Sequence, residues 1–245
     1  MIRHDVEQNE LDWMILRCGI PTASQFGEII TPAKAEPSKS SGPYMNSILA
    51  ELMMGHPLTA IENKWMDRGH ELEDEAVRNY EFLMGVETVR GGFVTTDDGL
   101  VGTSPDRLIP AANKGLEIKC PKPAVHVGYL LDRTLATEYK PQLQGLMWIC
   151  ECDSWDILSH HPEMEPALMT VTRDEAYLAK LIPAVQDFAL RLQEKIAELI
   201  TRGLIKPNWR ELMKPKTEEY PDVGDLGLSA EDLEFILADQ RSRNG

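Results

Sequence analysis

Three residues of the chain, Asp106, Glu117 and Lys119, have the types and the spacing needed for metal-dependent chemistry. They lie in two short apolar runs that flank residues 110–115, where Pro, Asn and Gly favour a turn. We therefore predict a β-hairpin. Because side chains alternate along a strand, Glu117 and Lys119 should share one face, and pairing with the neighbouring strand can bring Asp106 to that face.

The chemistry available to these three residues is that of a divalent cation. Carboxylate oxygens are the ligands that Mg²⁺ and Mn²⁺ prefer. A bound ion lowers the pKa of its water and polarises a phosphodiester, and two ions roughly 3.5–4 Å apart would hold the attacking and leaving oxygens. Lys119 would orient the water. This D…E-x-K arrangement is typical of metal-dependent nucleases, but an ordinary surface hairpin can carry the same residues, so the pattern alone does not decide.

Five segments of the chain carry a more specific signal when they are read in order. They are Leu16-Arg17-x-Gly-Ile-x-Thr-Ala-Ser24, Gly69-x-x-x-Glu73-x-x-Ala76, Ser104-Pro-Asp106, Gly115-Leu-Glu117-Ile-Lys119-Cys-Pro121 and Tyr139-x-x-Gln142-x-Gln144-x-x-Met-Trp148. On these segments the chain resembles the lambda-type phage exonucleases, and the match as a whole spans roughly residues 10–210. These enzymes belong to the superfamily of restriction-endonuclease and RecB-like nucleases.

The resemblance implies a role for each residue of the metal site. Asp106, Glu117 and the backbone carbonyl of Ile118 would hold Mg²⁺, with Mn²⁺ as a possible substitute and two ions in all. Glu73 would complete the site, directly or through water. It borders the apolar stripe of a helix predicted over residues 65–84, and the stripe comprises Trp65, Gly69, Leu72, Ala76, Tyr80 and Leu83.

The same resemblance assigns residues that would handle the substrate. Lys119 and Gln142 would position the water or the scissile phosphate. Gln142 and Gln144 lie about 200° apart on a helical wheel, so they cannot serve one site equally, and we expect Gln144 to be structural. Arg17 and Ser24 would hold the terminal 5′-phosphate, with Thr22 or Ser24 capping a helix whose N-terminus favours an anion.

The order of the predicted elements favours an α/β fold. Residues 86–95 form a strand interrupted at 90–92, which with the hairpin makes three antiparallel strands, and two more strands follow at 154–160 and 167–172. Helices precede and separate these groups, and a long one covers 174–202. We predict a restriction-endonuclease-like core, a mixed sheet of about five strands flanked by helices.

The distribution of charge suggests where the folded domain ends. The chain has 245 residues and a net charge of −15, which by itself argues against a nucleic-acid partner. However, residues 217–240 contain eight acidic residues and no Lys or Arg. We predict a single nuclease domain over 1–214 and an acidic, partly disordered extension over 215–245.

Other segments restrict the class of protein. No apolar run is long enough for a membrane helix and the N-terminus lacks a signal-peptide core, so we expect a cytoplasmic protein. Cys150, Cys152, His160 and His161 form an alternative metal set, but their spacing is not that of a zinc site. The cysteine pattern also does not fit an iron–sulfur cluster.

Taken with the resemblance, these features lead us to expect a Mg²⁺-dependent 5′→3′ exonuclease. It would act on linear double-stranded DNA, release mononucleotides and leave a 3′ single-stranded overhang. By analogy it would form a homotrimeric ring around DNA and work with a single-strand annealing protein in recombination. Two alternatives stay open: a site-specific endonuclease of the same superfamily, and a non-catalytic module that binds DNA ends.

Overall fold

The central feature of the computed structural model is a mixed five-stranded sheet. The structure describes residues 1–213 except 9, 57–63 and 135, and it describes the backbone but not the side chains of 64–71. These residues belong to one unit, Met1–Lys214. The predicted acidic extension lies outside the described residues, so the predicted domain boundary stays a prediction.

The helices described are α1 (Leu11–Arg17), α2 (Phe26–Ile29), α3 (Ser41–Met54), α4 (Lys64–Met84), α5 (Pro123–Asp132), α6 (Lys140–Ile149), α7 (Glu175–Thr201) and α8 (Trp209–Leu212). The strands are β1 (Ile2–His4), β2 (Val89–Arg90), β3 (Phe93–Thr95), β4 (Gly102–Thr103), β5 (Arg107–Ile109), β6 (Lys114–Lys119), β7 (Ser154–Ser159) and β8 (Ala167–Thr172). No helix among the described residues has the length and apolar character needed to cross a bilayer.

The main sheet has the order β2-β5-β6-β7-β8. Only β6 and β7 are parallel, and the other neighbouring pairs are antiparallel. The predicted hairpin is confirmed, because β5 pairs with β6 with Arg107 opposite Leu116. Helix α6 provides the connection that a parallel pair requires.

Helices cover both faces of the main sheet, and apolar side chains of β7 point alternately to these two faces. Trp155 and Ile157 belong to the larger apolar core, which α2, α3, α6, α7 and α8 complete. Leu158 points to the opposite face, where it packs with Ala76 and Tyr80 of α4. Because β7 is buried on both sides, the centre of the sheet is a buried middle layer.

A close contact within the main sheet fixes its spacing at the hairpin. Gly115 in β6 lies opposite Trp155 in β7, and a Cβ atom on Gly115 would lie only 2.2 Å from the indole ring. Trp155 is fully buried. Glycine is therefore required beside this indole.

The three predicted antiparallel strands are present as β2, β5 and β6, but the expectation that residues 86–95 form one interrupted strand is wrong. The interrupted segment contributes β2 to the main sheet, but β3 joins a separate three-stranded sheet of order β1-β3-β4. The division occurs at Gly91 and Gly92, where a Cβ atom would lie 2.1 Å from the carbonyl oxygen of Pro105 or 2.4 Å from that of His4. The chain can pass between these backbones only because both residues are glycine.

Strand β1 and helix α5 are among the elements that were not expected from the sequence. Strand β1 pairs with β3, far away in the chain. Helix α5 begins with Pro123 and contains valines and a glycine, which are weak helix formers, and it is stabilised by burial of His126 and Tyr129. Within the predicted α4 stripe, Ala76 and Tyr80 are buried but Leu83 is 56% exposed.

A buried carboxylate ties α4 to the sheet. Asp156 of β7 is fully buried, and its carboxylate accepts hydrogen bonds from Tyr80 of α4 at 2.7 Å, Lys114 of β6 at 2.9 Å and Thr170 of β8 at 2.5 Å. Burial and the carboxylate raise the pKa of the Tyr80 phenol, so it remains a donor. This network fixes the helix that carries Glu73.

Candidate active site

The hairpin places Asp106 beside β6. Asp106 immediately precedes β5, and its Oδ2 accepts a hydrogen bond from the backbone N–H of Ile118 at 2.7 Å. The N–H and C=O of one residue point the same way from an extended strand. The carbonyl oxygen of Ile118 therefore also faces the side of β6 on which Asp106 lies.

Glu117 is the residue on which the other polar side chains converge. Its Oε1 accepts hydrogen bonds from Lys119 Nζ at 2.7 Å and from Gln142 Nε2 at 2.8 Å. Glu117 is only 5% exposed, and its Oε2 is buried without a hydrogen-bond partner among the described residues. One oxygen is thus held by two donors, while the other retains its capacity to bind a cation.

The electrostatics of the site show an excess of buried negative charge. Burial, and then the charge of Glu117, raise the pKa of Asp106 well above its usual range despite the Ile118 hydrogen bond. Burial of Lys119 favours its neutral amine, but the carboxylates of Glu117 and Asp106 outweigh that effect and raise its pKa. One ammonium therefore faces two carboxylates, and a further cation would stabilise both as anions.

Glu73 reaches the site from α4 in a different way from the other acids. Its Oε1 lies 3.1 Å from Arg107 Nη1, and its charge contributes to the raised pKa of Asp106. Glu73, Asp74, Asp106 and Arg107 line a cleft of about 180 Å³. This volume has room for several water molecules.

The donor set fits a hard divalent cation. Within the described part of the chain, no three His, Cys, Asp or Glu side chains are arranged to hold a metal ion, and this applies equally to the alternative set at residues 150–161. Mg²⁺ does not need three such side chains, because it typically binds one or two carboxylates and keeps several waters. Asp106, the buried Oε2 of Glu117 and the Ile118 carbonyl supply oxygens of the required kind.

The predicted phosphate pocket begins at α1. The guanidinium of Arg17 lies 4.2 Å from the ring centroid of Trp13, and burial lowers the pKa of Arg17. The indole N–H of Trp13 donates to Ser104 Oγ at 2.8 Å. Ser104 is two residues before Asp106, so the arginine and the hairpin are connected through one tryptophan.

Ser24 is connected to the same region through Tyr44. Ser24 is exposed, and its Oγ lies 3.4 Å from Thr22 Oγ1. The backbone N–H of Thr22 donates to the Tyr44 hydroxyl at 3.3 Å, and the charge of Arg17 acts on that hydroxyl. The predicted helix cap is wrong, since neither Thr22 nor Ser24 makes a side-chain cap; residues 23–25 form a 3₁₀ turn.

The two glutamines of α6 point in opposite directions. Gln144 is 1% exposed; its amide accepts from the backbone N–H of Asp174 at 2.8 Å and donates to the Thr172 carbonyl at 2.9 Å. Gln144 therefore connects three elements inside the protein. Gln142 instead donates to Glu117, and its role in the chemistry stays a prediction.

The structure also shows contacts that the sequence did not indicate. Arg107 pairs with Glu73, and the ring of Tyr139 lies 5.1 Å from Lys119 Nζ. For Arg107, the one signal in the sequence was its position directly after Asp106. For Trp13, the signal was its spacing from Arg17, because residues four apart share a helix face.

This arrangement of sheet, helices and hairpin defines a nuclease core of the restriction-endonuclease type, as predicted. Its structural relatives are exonucleases. The alkaline exonuclease LHK-Exo from Laribacter hongkongensis is 26% identical and superimposes with a TM-score of 0.68, covering 79% of this chain and 98% of that one. A structure of LHK-Exo in complex with dAMP gives a TM-score of 0.69 at the same identity and coverage.

The chain belongs to the family of YqaJ-like viral recombinase domains, whose model matches residues 12–153. A phage-related exonuclease from Haemophilus somnus 129PT, 16% identical with a TM-score of 0.60, shares the fold over 74% of this chain and 96% of its own. No curated protein matches the chain. The resemblance to lambda-type phage exonucleases is thus confirmed, and the family implies a nuclease.

Proposed function

We propose that this protein is a Mg²⁺-dependent 5′→3′ exonuclease that acts on linear double-stranded DNA. It would release mononucleotides and leave a 3′ single-stranded overhang. The observation that carries the proposal is the environment of Glu117, where one carboxylate oxygen is held by Lys119 and Gln142 and the other is buried without a partner among the described residues. Family membership supplies the reaction class.

Each residue of the site would have a separate role in hydrolysis. Asp106, Glu117 and the Ile118 carbonyl would hold the metal, and Glu73 would join them directly or through water. A bound divalent cation would supply an activated water and polarise the phosphodiester. Lys119 keeps its proton in this environment, so it would offset the charge that develops on the phosphate, not act as a base.

The proposed polarity depends on the pocket around Arg17 and Ser24. A guanidinium stacked on Trp13 is held in place, and its charge suits a terminal phosphate monoester. The hydrogen bond from Trp13 to Ser104 supports a pocket near the hairpin that carries Asp106. LHK-Exo binds dAMP, a deoxynucleoside monophosphate of the kind that release of mononucleotides would produce.

The proposed assembly rests on analogy with the family. A homotrimeric ring around the duplex would retain DNA by topology and would lessen the difficulty of a net charge of −15. A single-strand annealing protein would then receive the 3′ overhang. Light scattering after size-exclusion chromatography measures the mass of the assembly, and a monomer at working concentration would contradict the ring.

The test of the activity uses linear duplexes with either a 5′-phosphate or a 5′-hydroxyl, labelled at one end at a time, beside a closed circle. With Mg²⁺, we expect mononucleotides from phosphorylated 5′ ends and an intact circle. Asp106→Asn should abolish cleavage while keeping the far-UV circular dichroism spectrum. Nicked circles would indicate an endonuclease, and binding of ends without turnover would indicate a non-catalytic module.

A further inference from the structure

Arg107 is a buried arginine placed between two of the candidate metal ligands. It is 8% exposed and directly follows Asp106 in the chain. Transfer of a guanidinium out of water is costly unless its N–H groups find acceptors. The hydrogen-bond acceptors of Arg107 therefore indicate which groups this residue positions.

Among the residues whose side chains the structure describes, the oxygens that contact this guanidinium belong to residues lining the cleft. Nη1 donates to the backbone carbonyl of Asp106 at 2.8 Å and lies 3.1 Å from Glu73 Oε1. Nη2 lies 3.5 Å from Asp74 Oδ1. The first two contacts connect one nitrogen to the backbone of Asp106, which precedes β5, and to the carboxylate of Glu73 on α4. Asp74 is 69% exposed, so its contact adds little.

Helix α4 does not need Arg107 to stay docked on the sheet. Ala76 and Tyr80 are buried against it, and the Tyr80 hydroxyl donates to Asp156. Glu73, in contrast, has a side chain that is 27% exposed. Without the arginine, its carboxylate could turn away from Asp106 while the helix remained in place.

We propose that Arg107 is a positioning residue that holds the Glu73 carboxylate against Asp106, so that both acids act on the same divalent cation. The inference rests on the proposed function, because it assumes that these acids bind a metal. The Oε1 atom of Glu73 is engaged by the guanidinium, which leaves the second oxygen of the carboxylate to reach the ion or one of its waters.

The sign of the effect separates positioning from simple electrostatics. Removing a positive charge beside a cation site should tighten cation binding if charge alone matters. Loss of a residue that orients a metal-binding side chain should instead weaken metal affinity by about 10- to 100-fold. Arg107→Gln is therefore expected to weaken binding.

The chain offers a matched control in Arg90. It lies opposite Arg107 in the pairing of β2 with β5, but its side chain is 62% exposed and pairs with Glu7. Arg90→Gln removes the same charge from the neighbouring strand. We expect this variant to bind the cation as tightly as the wild type or slightly more tightly.

The experiment is a titration of Mn²⁺, followed by electron paramagnetic resonance in the absence of DNA. It compares the wild type with Arg107→Gln, Arg107→Lys, Glu73→Gln and the double variant Glu73→Gln/Arg107→Gln. We expect Kd to rise about tenfold or more in Arg107→Gln, and less in Arg107→Lys, which retains the charge but not the planar fork. In the Glu73→Gln background, Arg107→Gln should change Kd by less than about twofold.

Three results would overturn the inference: Arg107→Gln binding Mn²⁺ like Arg90→Gln, additive effects in the double variant, or, if Arg107→Gln does not fold, wild-type affinity in Arg107→Lys. Cleavage by the wild type is measured separately. A wild type that degrades duplex ends while Arg107→Gln binds Mn²⁺ normally overturns the inference alone. A wild type that binds Mn²⁺ with this dependence but never cleaves overturns the proposed function.

Discussion

Replacement of Asp156 by alanine should be among the most destabilising changes on the α4 side of the sheet. The carboxylate is fully buried and accepts hydrogen bonds from Tyr80, Lys114 and Thr170. Asp156→Ala leaves three donors without their acceptor, and one of them is an ammonium.

These contacts determine the expected loss of unfolding free energy in Asp156→Ala. Breaking a buried ion pair by removing one partner typically costs about 3–5 kcal/mol. The side chain of Lys114 is 20% exposed and can regain part of its hydration, so we expect the lower end, about 3 kcal/mol. At about 2–4 °C per kcal/mol for a chain of this size, Tm should fall by about 6–12 °C.

The assay is urea denaturation followed by circular dichroism, with Tm measured in parallel. Tyr80→Phe removes one hydrogen bond from the same carboxylate and should cost about 0.5–1.5 kcal/mol. Asp187→Ala breaks an exposed i,i+4 pair with Arg191 and should stay within about 0.5 kcal/mol of the wild type. The reasoning is refuted if Asp156→Ala costs no more than Tyr80→Phe.

The remaining predictions address the hairpin, α6 and a buried histidine. Gly115→Ala should destabilise the fold by about 1–3 kcal/mol or more in urea denaturation, because the added methyl meets the buried indole opposite it. Gly128→Ala, which meets nothing within 4 Å on α5, should be neutral or stabilising by up to about 1 kcal/mol; similar losses in both variants would contradict the packing argument. Gln142→Ala should slow cleavage by about 10-fold or more without a change in Tm, since it loses the bond that orients Glu117. Gln144→Ala should lower the unfolding free energy by about 1–3 kcal/mol, because the buried Gln144 amide makes two hydrogen bonds to the backbone of other elements; the reverse pattern of the two variants would show that their roles are exchanged. Burial lowers the pKa of His160, so the unfolded chain binds a proton that the folded protein does not, and stability should fall as pH drops below about 6.5. His160→Leu should flatten that slope in denaturation curves measured from pH 7 to 5, and an unchanged slope would exclude this histidine as its source.

The local parts of the site could be read from the sequence because they depend on local periodicity. Glu117 and Lys119 are two residues apart on one strand, so alternation alone places them together. Gln142 and Gln144 could be separated by helical geometry, although the motif was needed to choose between them. The hairpin, the long C-terminal helix and the mixed sheet followed from the same kind of pattern.

Contacts between distant segments could not be predicted from local periodicity. Nothing in the spacing of residues indicates that Arg107 meets Glu73, or that Trp13 donates to Ser104, because these contacts depend on how α4 and α1 pack on the strands. The division of residues 86–95 between two sheets depends on close approach of backbones at Gly91 and Gly92. Such approaches leave no periodic trace in a single sequence.

The sequence by itself thus determined the set of acids, the lysine and the order of the elements, since residue types and periodicity are properties of the chain. Tertiary structure decided which oxygen of Glu117 is held and which is buried without a partner among the described residues. It also decided that Arg107 connects the carboxylate of Glu73 on α4 to the backbone carbonyl of Asp106. The physical reason is that charge pairing and burial are fixed by distances across elements, and packing alone sets those distances.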